Sequence, residues 1–508
     1  MQENISSNKR IARNTVFLYF RSMMTMFISL YTSRVILQVL GVEDYGIYNV
    51  VGSFVSLMGF LCGAMSTSTS RYITYALGKG DEKYLKDVFS TTLLAHLLIA
   101  AIIVVFGETV GLWFLYNKLI IPADRMIAAM IAYQVSIISI VVYMWSIPYN
   151  ACIIAHEKMN AFAYISIFEA TSKLLIVFAL IMIPYDKLIA YSILLFSVQL
   201  QIRYIYSWYC KKHFIESKFC FIWNKRLLKE IVSFAGWNLW GSGAYALFTQ
   251  GVNVLLNMFF GPVLNSARGV ALQVQSAVSV FSANFQTAIN PQITKSYAIN
   301  DFDMMHTLMC RSSKFSFYLL FCLSLPIVMD TDFILGLWLK EVPTHTSSFL
   351  RLMLCICIID AMSGPLMTAA AATGKVKKYQ SVIGTILLMI VPLSYVALKM
   401  GGPPEVVLYV QLIVFIIAAV VRLFIIKPMI NLPIGMFLFK SVQPCIIVTM
   451  TSLVIMFAFI NIIPSSVIKP MLIIILSIIV ATVTFFLFAM TAGEREFVLS
   501  KIKEKMRR

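Results

Sequence analysis

Charge is what this sequence has least of. Only 13% of its 508 residues are Asp, Glu, Lys or Arg, about half the share of a soluble globular domain. Apolar residues make up 60%. That balance excludes a disordered or collagenous chain and a soluble enzyme with a single anchor. Acids are the scarcer sign, 23 against 41 basic residues, for a net charge of +18. In a soluble protein such an excess would point to nucleic acid. Here no nucleic-acid partner is expected, because basic residues collect in the cytoplasmic loops of membrane proteins.

The chain also lacks the usual signatures of chemistry. There is no Gly-rich phosphate loop ending in Lys-Ser/Thr, no HExxH and no nucleophile elbow. Its nine cysteines form no disulfide framework. Cys62, Cys152, Cys322 and Cys445 sit in apolar runs, and Cys355 and Cys357 point to different faces of one helix. Cys210 and Cys220 fall in a basic loop expected in the cytoplasm, where thiols stay reduced. No Cys/His spacing resembles a zinc site. No metal or organic cofactor is expected, and the protein is not expected to be an enzyme. The first apolar run is long and has no small-residue cleavage site, so no cleavable signal is expected.

What is there in abundance is apolar sequence. A spanning helix needs about 20 mainly apolar residues, and about 14 such segments can be drawn. They cover 14–39, 44–76, 85–116, 124–155, 160–183, 187–210, 228–260, 263–296, 304–338, 345–373, 378–399, 405–427, 438–462 and 467–491. An all-α polytopic protein follows. Lys and Arg alternate between the loops, roughly 25 on one side against roughly 6 on the other, which places both termini in the cytoplasm. The longest hydrophilic stretch reads as a cytoplasmic linker (213–227) between six-helix lobes at 1–212 and 228–430.

An internal repeat supports two lobes. Gly41 and Ile73-Thr74 bracket the second segment; Gly261 and Ile293-Thr294 bracket the eighth, 220 residues on (41 to 261, 73 to 293). Pro148 and Lys158 correspond to Pro365 and Lys375, 217 residues apart (148 to 365, 158 to 375). The halves therefore run in parallel, a plan used by transporters that hold substrate between their repeats. Pro148, Pro365, Gly236, Gly241 and Gly243 supply bending points for alternating access.

Polar residues in lipid are costly and should face protein or water. On the eighth segment Arg268, Gln275, Ser279, Ser282, Gln286 and Asn290 recur at helical spacing on one face. Ser242, Gln250, Asn253 and Asn257 do so on the seventh. The first carries Arg21, Ser22, Thr25, Ser29 and Thr32. On the second, Asn49, Gly52, Ser56, Gly59, Gly63, Thr67 and Ser70 suit close helix packing better than a lumen. An arginine and three side-chain amides on one face exceed what packing needs, so the eighth segment is expected to line a water-filled lumen.

The cations Arg21, Arg268 and Lys314 lie at depth, and arginine suits phosphate geometry. Arg34 and Arg351 can snorkel to the interface. Among the acids, Glu108, Glu169 and Asp360 are candidate coupling-ion sites for H⁺ or Na⁺. Glu169 and Lys173 stand in the favourable i,i+4 order for a structural pair. Asp360 has no local partner and could meet an arginine from another helix. His96, alone on an apolar helix, reads as structural.

Asn14-Thr15, the run from Arg34 through Leu40-Gly41 and Asp44-Tyr45-Gly46 to Tyr48, and Ser70-Arg71-Tyr72 resemble the Wzx-type polysaccharide and O-antigen flippases of the MATE-like multidrug/oligosaccharidyl-lipid/polysaccharide exporter superfamily. The resemblance implies two six-helix lobes forming a V, two additional C-terminal helices (431–492) and a basic cytoplasmic tail (493–508). It implies transfer of an undecaprenyl-pyrophosphate-linked oligosaccharide, an O-antigen or capsule repeat unit, across the bacterial inner membrane by alternating access through a cationic lumen. Membrane lipids and polysaccharide polymerase machinery would be its partners. A lipid II-type flippase and a MATE-type drug/cation antiporter remain as alternatives. A polytopic glycan polymerase or ligase would want a larger outer loop.

Overall fold

The computed structural model describes residues 13–29, the positions 31–32, 35–36, 38–40, 44 and 47–48, then 59–117, 121–218, 224–260, 262–338, 342–462, 468–496 and 499. Arg34, Gly41, Asn49, Gly52, Ser56, Cys220, Gly261 and the tail from 500 onward lie outside the described residues.

Backbone groups in hydrocarbon have no water to bond, so each apolar run must satisfy them within itself, as a helix does. The described residues form helices α1 (13–29), α2 (Gly59–Lys79), α3 (Glu82–Asn117), α4 (Met126–Ala155), α5 (Met159–Met182), α6 (Lys187–His213) and α7 (Lys225–Phe260). They continue with α8 (Pro262–Ala298), α9 (Phe302–Met329), α10 (Thr346–Ala372), α11 (Lys377–Lys399), α12 (Val406–Ile430), α13 (Ile434–Ile460) and α14 (Lys469–Ala489). No strand occurs among the described residues. Ten of these helices are long and apolar enough to cross a membrane. α7 and α8, at 36 and 37 residues, are not among the ten; they are two of the helices that carry polar faces.

The repeat is written into the turns. Gly80 has φ +71°, and Asp81 caps α3 by accepting from the Tyr84 amide at 3.0 Å. At positions 220 residues later (80 to 300, 81 to 301) Asn300 has φ +59° and Asp301 caps α9 through the Met304 amide at 2.9 Å. Both turns need a left-handed residue, which Gly and Asn tolerate best. The ends of α4 and α10 match in the same way. Glu157 (φ +59°) and Gly374 (φ +75°) each precede the lysine that marks the repeat. α4 and α10 also keep their internal prolines, Pro148 and Pro365.

The chain forms two compact units. Unit 1 takes in Met1–Gly243 and Thr294–Asn300; unit 2 takes in Ala244–Ile293 and Asp301–Arg508. In unit 1, α4 packs along α6 and also against α2 and α3. At one end Arg125 bridges Asp44 (2.5 and 2.8 Å) and Asp186 (2.5 Å), and Asp186 also caps α6. At the other, the buried Glu157 accepts Asn14 Nδ2 on its carbonyl (3.2 Å) and Lys295 Nζ on its carboxylate (2.9 Å). The Arg71 guanidinium lies over the rings of Tyr72 (4.5 Å) and Tyr75 (4.7 Å). In unit 2, α9 packs against α10, and α10 against α12. The last two helices dock on α9: Phe317, Phe321 and Leu325 share a core with Val448 and Met456 of α13 and with Ile473, Val480 and Phe485 of α14.

Candidate functional site

The polar face of α8 gathers most of the residues singled out above. Near the start of the helix Arg268 is buried, 2% exposed. Its Nη1 donates to the Thr249 carbonyl at 3.1 Å and to Asn253 Oδ1 on α7. Asn253 Nδ2 in turn donates to Gln250 Oε1 at 3.0 Å, joining Gln250 to the cluster. Asn257, one turn further along α7, is exposed. Among the described residues Arg268 Nε has no hydrogen-bond partner and no carboxylate pairs with the guanidinium. A cation stripped of water and held only by neutral dipoles retains an unmet demand for negative charge.

Further along α8 the face is occupied by amides. Gln275 is half-buried, and Ser279, one turn on, lies 3.0 Å from Cys357 Sγ. Gln286 Nε2 donates to the Ala361 carbonyl (2.8 Å), Ser316 Oγ (3.0 Å) and Ser282 Oγ (3.3 Å), linking α8 to α9 and α10. This close fit depends on Gly364: a Cβ there would stand 2.2 Å from Gln286 Oε1. Asn290 Oδ1 accepts Thr368 Oγ1 at 3.0 Å. Gln286 and Asn290 thus join α8 to its neighbours within unit 2.

Lys314 is placed apart from that face. It is buried, 3% exposed, and its Nζ donates to Glu494 (2.8 Å) and to the Ala489 carbonyl at the end of α14 (2.7 Å). Arg311 approaches the same carboxylate at 3.3 Å. Burial pushes the Glu494 carboxyl up, but the hydrogen bond from Lys314 and the two cations outweigh it and hold it below the usual carboxylate range.

The acids each have a partner. Asp360 on α10 pairs with Arg422 Nη1 of α12 at 3.4 Å; Arg422 is buried and Asp360 is partly open. In unit 1 Glu169 receives Lys173 Nζ at 2.6 Å on the same helix. Glu108 is exposed on the π-helical turn Gly107–Gly111 and accepts Gln134 Nε2 at 3.1 Å. Arg21 lies with its guanidinium 4.6 Å from the Phe162 ring centre and Nη2 3.4 Å from Ser22 Oγ.

Sequence reasoning missed Arg422 and Glu494. Arg422 could have been found as the one arginine inside the apolar run of α12. Glu494 stood among basic residues of the tail and gave no such signal. It also missed a third grouping, Cys152, His156 and Glu216 in unit 1, although the i,i+4 spacing of the first two places them on one helix face.

A family profile described as polysaccharide biosynthesis protein matches residues 11–298. No curated protein sequence matches the chain. Among solved structures, a multidrug-resistance MATE family transporter of the MOP superfamily, outward-facing, aligns with TM-score 0.72 at 12% identity, covering 84% of this chain and 96% of that one. A MATE protein in its straight conformation aligns with TM-score 0.72 at 14% identity over 84% and 96%. A MOP superfamily transporter from Pyrococcus furiosus, described as having a binding pocket of reversed polarity that suggests a different function, aligns with TM-score 0.69 at 12% identity over 84% and 96%. The helical architecture is therefore that of the MATE-like MOP transporters, a multi-pass membrane fold.

Proposed function

We propose, from the premise that this chain belongs to the polysaccharide biosynthesis protein family and has the fold of a membrane transporter, that it is a flippase. Its substrate is a lipid-linked oligosaccharide, an undecaprenyl-pyrophosphate-borne repeat unit, moved across the bacterial inner membrane by alternating access. The distribution of basic residues supports a topology with both termini in the cytoplasm. The observation that carries the reading is Arg268, a buried cation at the head of a polar helix face whose partners among the described residues are neutral. Such a group attracts an anionic headgroup and offers a planar fork to phosphate oxygens. The side-chain amides beyond it, Gln275, Gln286 and Asn290, have the chemistry that sugar hydroxyls require. Arg21 adds a second cation, in unit 1. Asp360, Glu169 and Glu108 are the candidates for a coupling H⁺ or Na⁺; Asp360 is favoured because it is partly open and its partner is a fixed arginine. Polymerase machinery would take the delivered unit.

The test is replacement of Arg21 and Arg268 together by Ala in the native host, with lipid-linked glycan assayed in each leaflet. At unchanged protein level, the glycan reaching the outer leaflet should fall at least tenfold, with the full-length lipid-linked unit trapped inside. Unchanged export would remove these arginines from the mechanism. Normal glycan in a deletion strain, with new sensitivity to cationic drugs, would replace the flippase by an antiporter.

A further inference from the structure

Cys152 and His156 lie four residues apart at the end of α4 and share one face of it. Glu216 reaches them from the short turn Ile215–Ser217 after α6. Glu216 Oε1 stands 2.6 Å from His156 Nε2 and 3.3 Å from Cys152 Sγ, and the three candidate ligand atoms all fall within 4.8 Å of one another. Cys152 and Glu216 are buried, while His156 is partly open. We propose that these three residues bind a divalent transition metal of the zinc class.

The donor set is what borderline-soft cations select: one thiolate, one imidazole and one carboxylate. A tetrahedral zinc ion, with bonds of about 2.3 Å to sulfur and 2.0–2.2 Å to nitrogen and oxygen, needs ligand atoms roughly 3.3–3.6 Å apart. The Cys–Glu separation already fits; the His–Glu separation must open by less than about 1 Å as metal replaces the shared proton. The imidazole is held in orientation by stacking on Phe214, ring centres 4.0 Å apart and planes 8° from parallel. Such support around a ligand strengthens a metal site. On the open side lies a cavity of about 330 Å³, lined among others by Asp81, Glu82, Lys86 and His213. It gives the ion a path in and room for water at a fourth position.

The cluster is not a product of the repeat. At the matching places in the second half, 217 residues on (152 to 369, 156 to 373), stand Ala369 and Thr373, which cannot supply these ligands. The fold is therefore made without the site in one half and carries it in the other. A bound ion would tie the end of α4 to the segment that leads from α6 towards α7. The inference does not rest on the flippase reading, and its test needs no transport.

Full-length protein carrying no polyhistidine tag is purified in detergent, stripped with chelator and titrated with Co²⁺. The expected result is one equivalent bound with a thiolate-to-cobalt charge-transfer band, displaced by Zn²⁺. Cys152→Ser should abolish the band, and His156→Ala or Glu216→Gln should weaken binding at least tenfold. Cys355→Ser, at an exposed thiol of unit 2, should leave it intact. Absence of the band from the wild type, or its survival in Cys152→Ser, overturns the proposal. Should the variants fail to fold, zinc-edge X-ray absorption of the wild type decides. One sulfur scatterer per zinc is expected, and a shell of nitrogen and oxygen alone overturns the site.

Discussion

Lys314 and Arg268 are both buried cations of unit 2, 3% and 2% exposed, yet their surroundings differ in kind. Lys314 meets a carboxylate, Glu494, and the carbonyl of Ala489. Arg268 meets a carbonyl and a side-chain amide. Removing a charge from water costs several kcal/mol, and a counter-charge offsets much of that while neutral dipoles offset less. Lys314 is thus saturated, and its consequence is structural: it fastens the end of α14 to α9. Among the described residues Arg268 has no such counter-charge, which is the opening that the proposed anionic headgroup would fill. Position at depth does not by itself make a cation functional; what decides is whether the protein has already supplied its counter-charge.

The largest effect is expected from taking the counter-charge away from Lys314. Glu494→Gln leaves the ammonium buried with neutral partners, and the expected loss is about 3–5 kcal/mol of stability. The thermal midpoint in detergent should fall clearly. The double variant Lys314→Met/Glu494→Gln should recover part of the loss, because an apolar side chain tolerates that site better than an unpaired charge. An unchanged midpoint in Glu494→Gln would mean that the pair contributes nothing and that Lys314 and Arg268 are alike.

The reverse operation gives Arg268 what Lys314 has. Asn253→Asp places a carboxylate where the amide oxygen now accepts from the guanidinium. A full ion pair in place of a bond from the cation to a neutral amide should raise stability by about 1 kcal/mol. Transport of an anionic headgroup should fall, since the variant's own carboxylate now competes for the arginine. Measured together, a higher midpoint with lower glycan transfer supports the division between saturated and available cations. Higher stability with unchanged transfer would show that Arg268 serves packing alone.

Much of this architecture could be read from the chain. The helices follow from apolar runs that have no other way to satisfy their backbone in lipid. The repeat, inferred from Gly41, Ile73, Pro148 and Lys158 and their counterparts, reappears in the turns at Gly80-Asp81 and Asn300-Asp301. The polar face of α8 was legible because helical period is a local property. Partnership was not. Lys314 and Arg268 look alike in sequence, and the difference lies in Glu494, 180 residues away. Asp360 likewise gave no hint of Arg422, nor Cys152 and His156 of Glu216. A pair on one helix, such as Glu169 and Lys173, is announced by spacing; a pair across helices depends on packing that no local pattern encodes.

The smallest effect separates the two cations by pH. Burial raises the Glu494 carboxyl, while Lys314 and Arg311 lower it by more, so its folded-state pKa sits below that of the unfolded chain. A carboxylate depressed in this way contributes stability that is fully present above its unfolded pKa, about 4.3, and is lost as pH falls through the lower folded value. The gap in thermal midpoint between wild type and Glu494→Gln should therefore stay constant from pH 7 to about 5 and narrow only below about 4. Among the described residues the Arg268 cluster contains no acid, so the midpoint gap between wild type and Asn253→Ala should not change across that lower range. Narrowing of the first gap already between pH 7 and 5 would mean that Glu494 is not held by its cations. Narrowing of the second would reveal a carboxylate near Arg268, and the contrast between the two sites would fall.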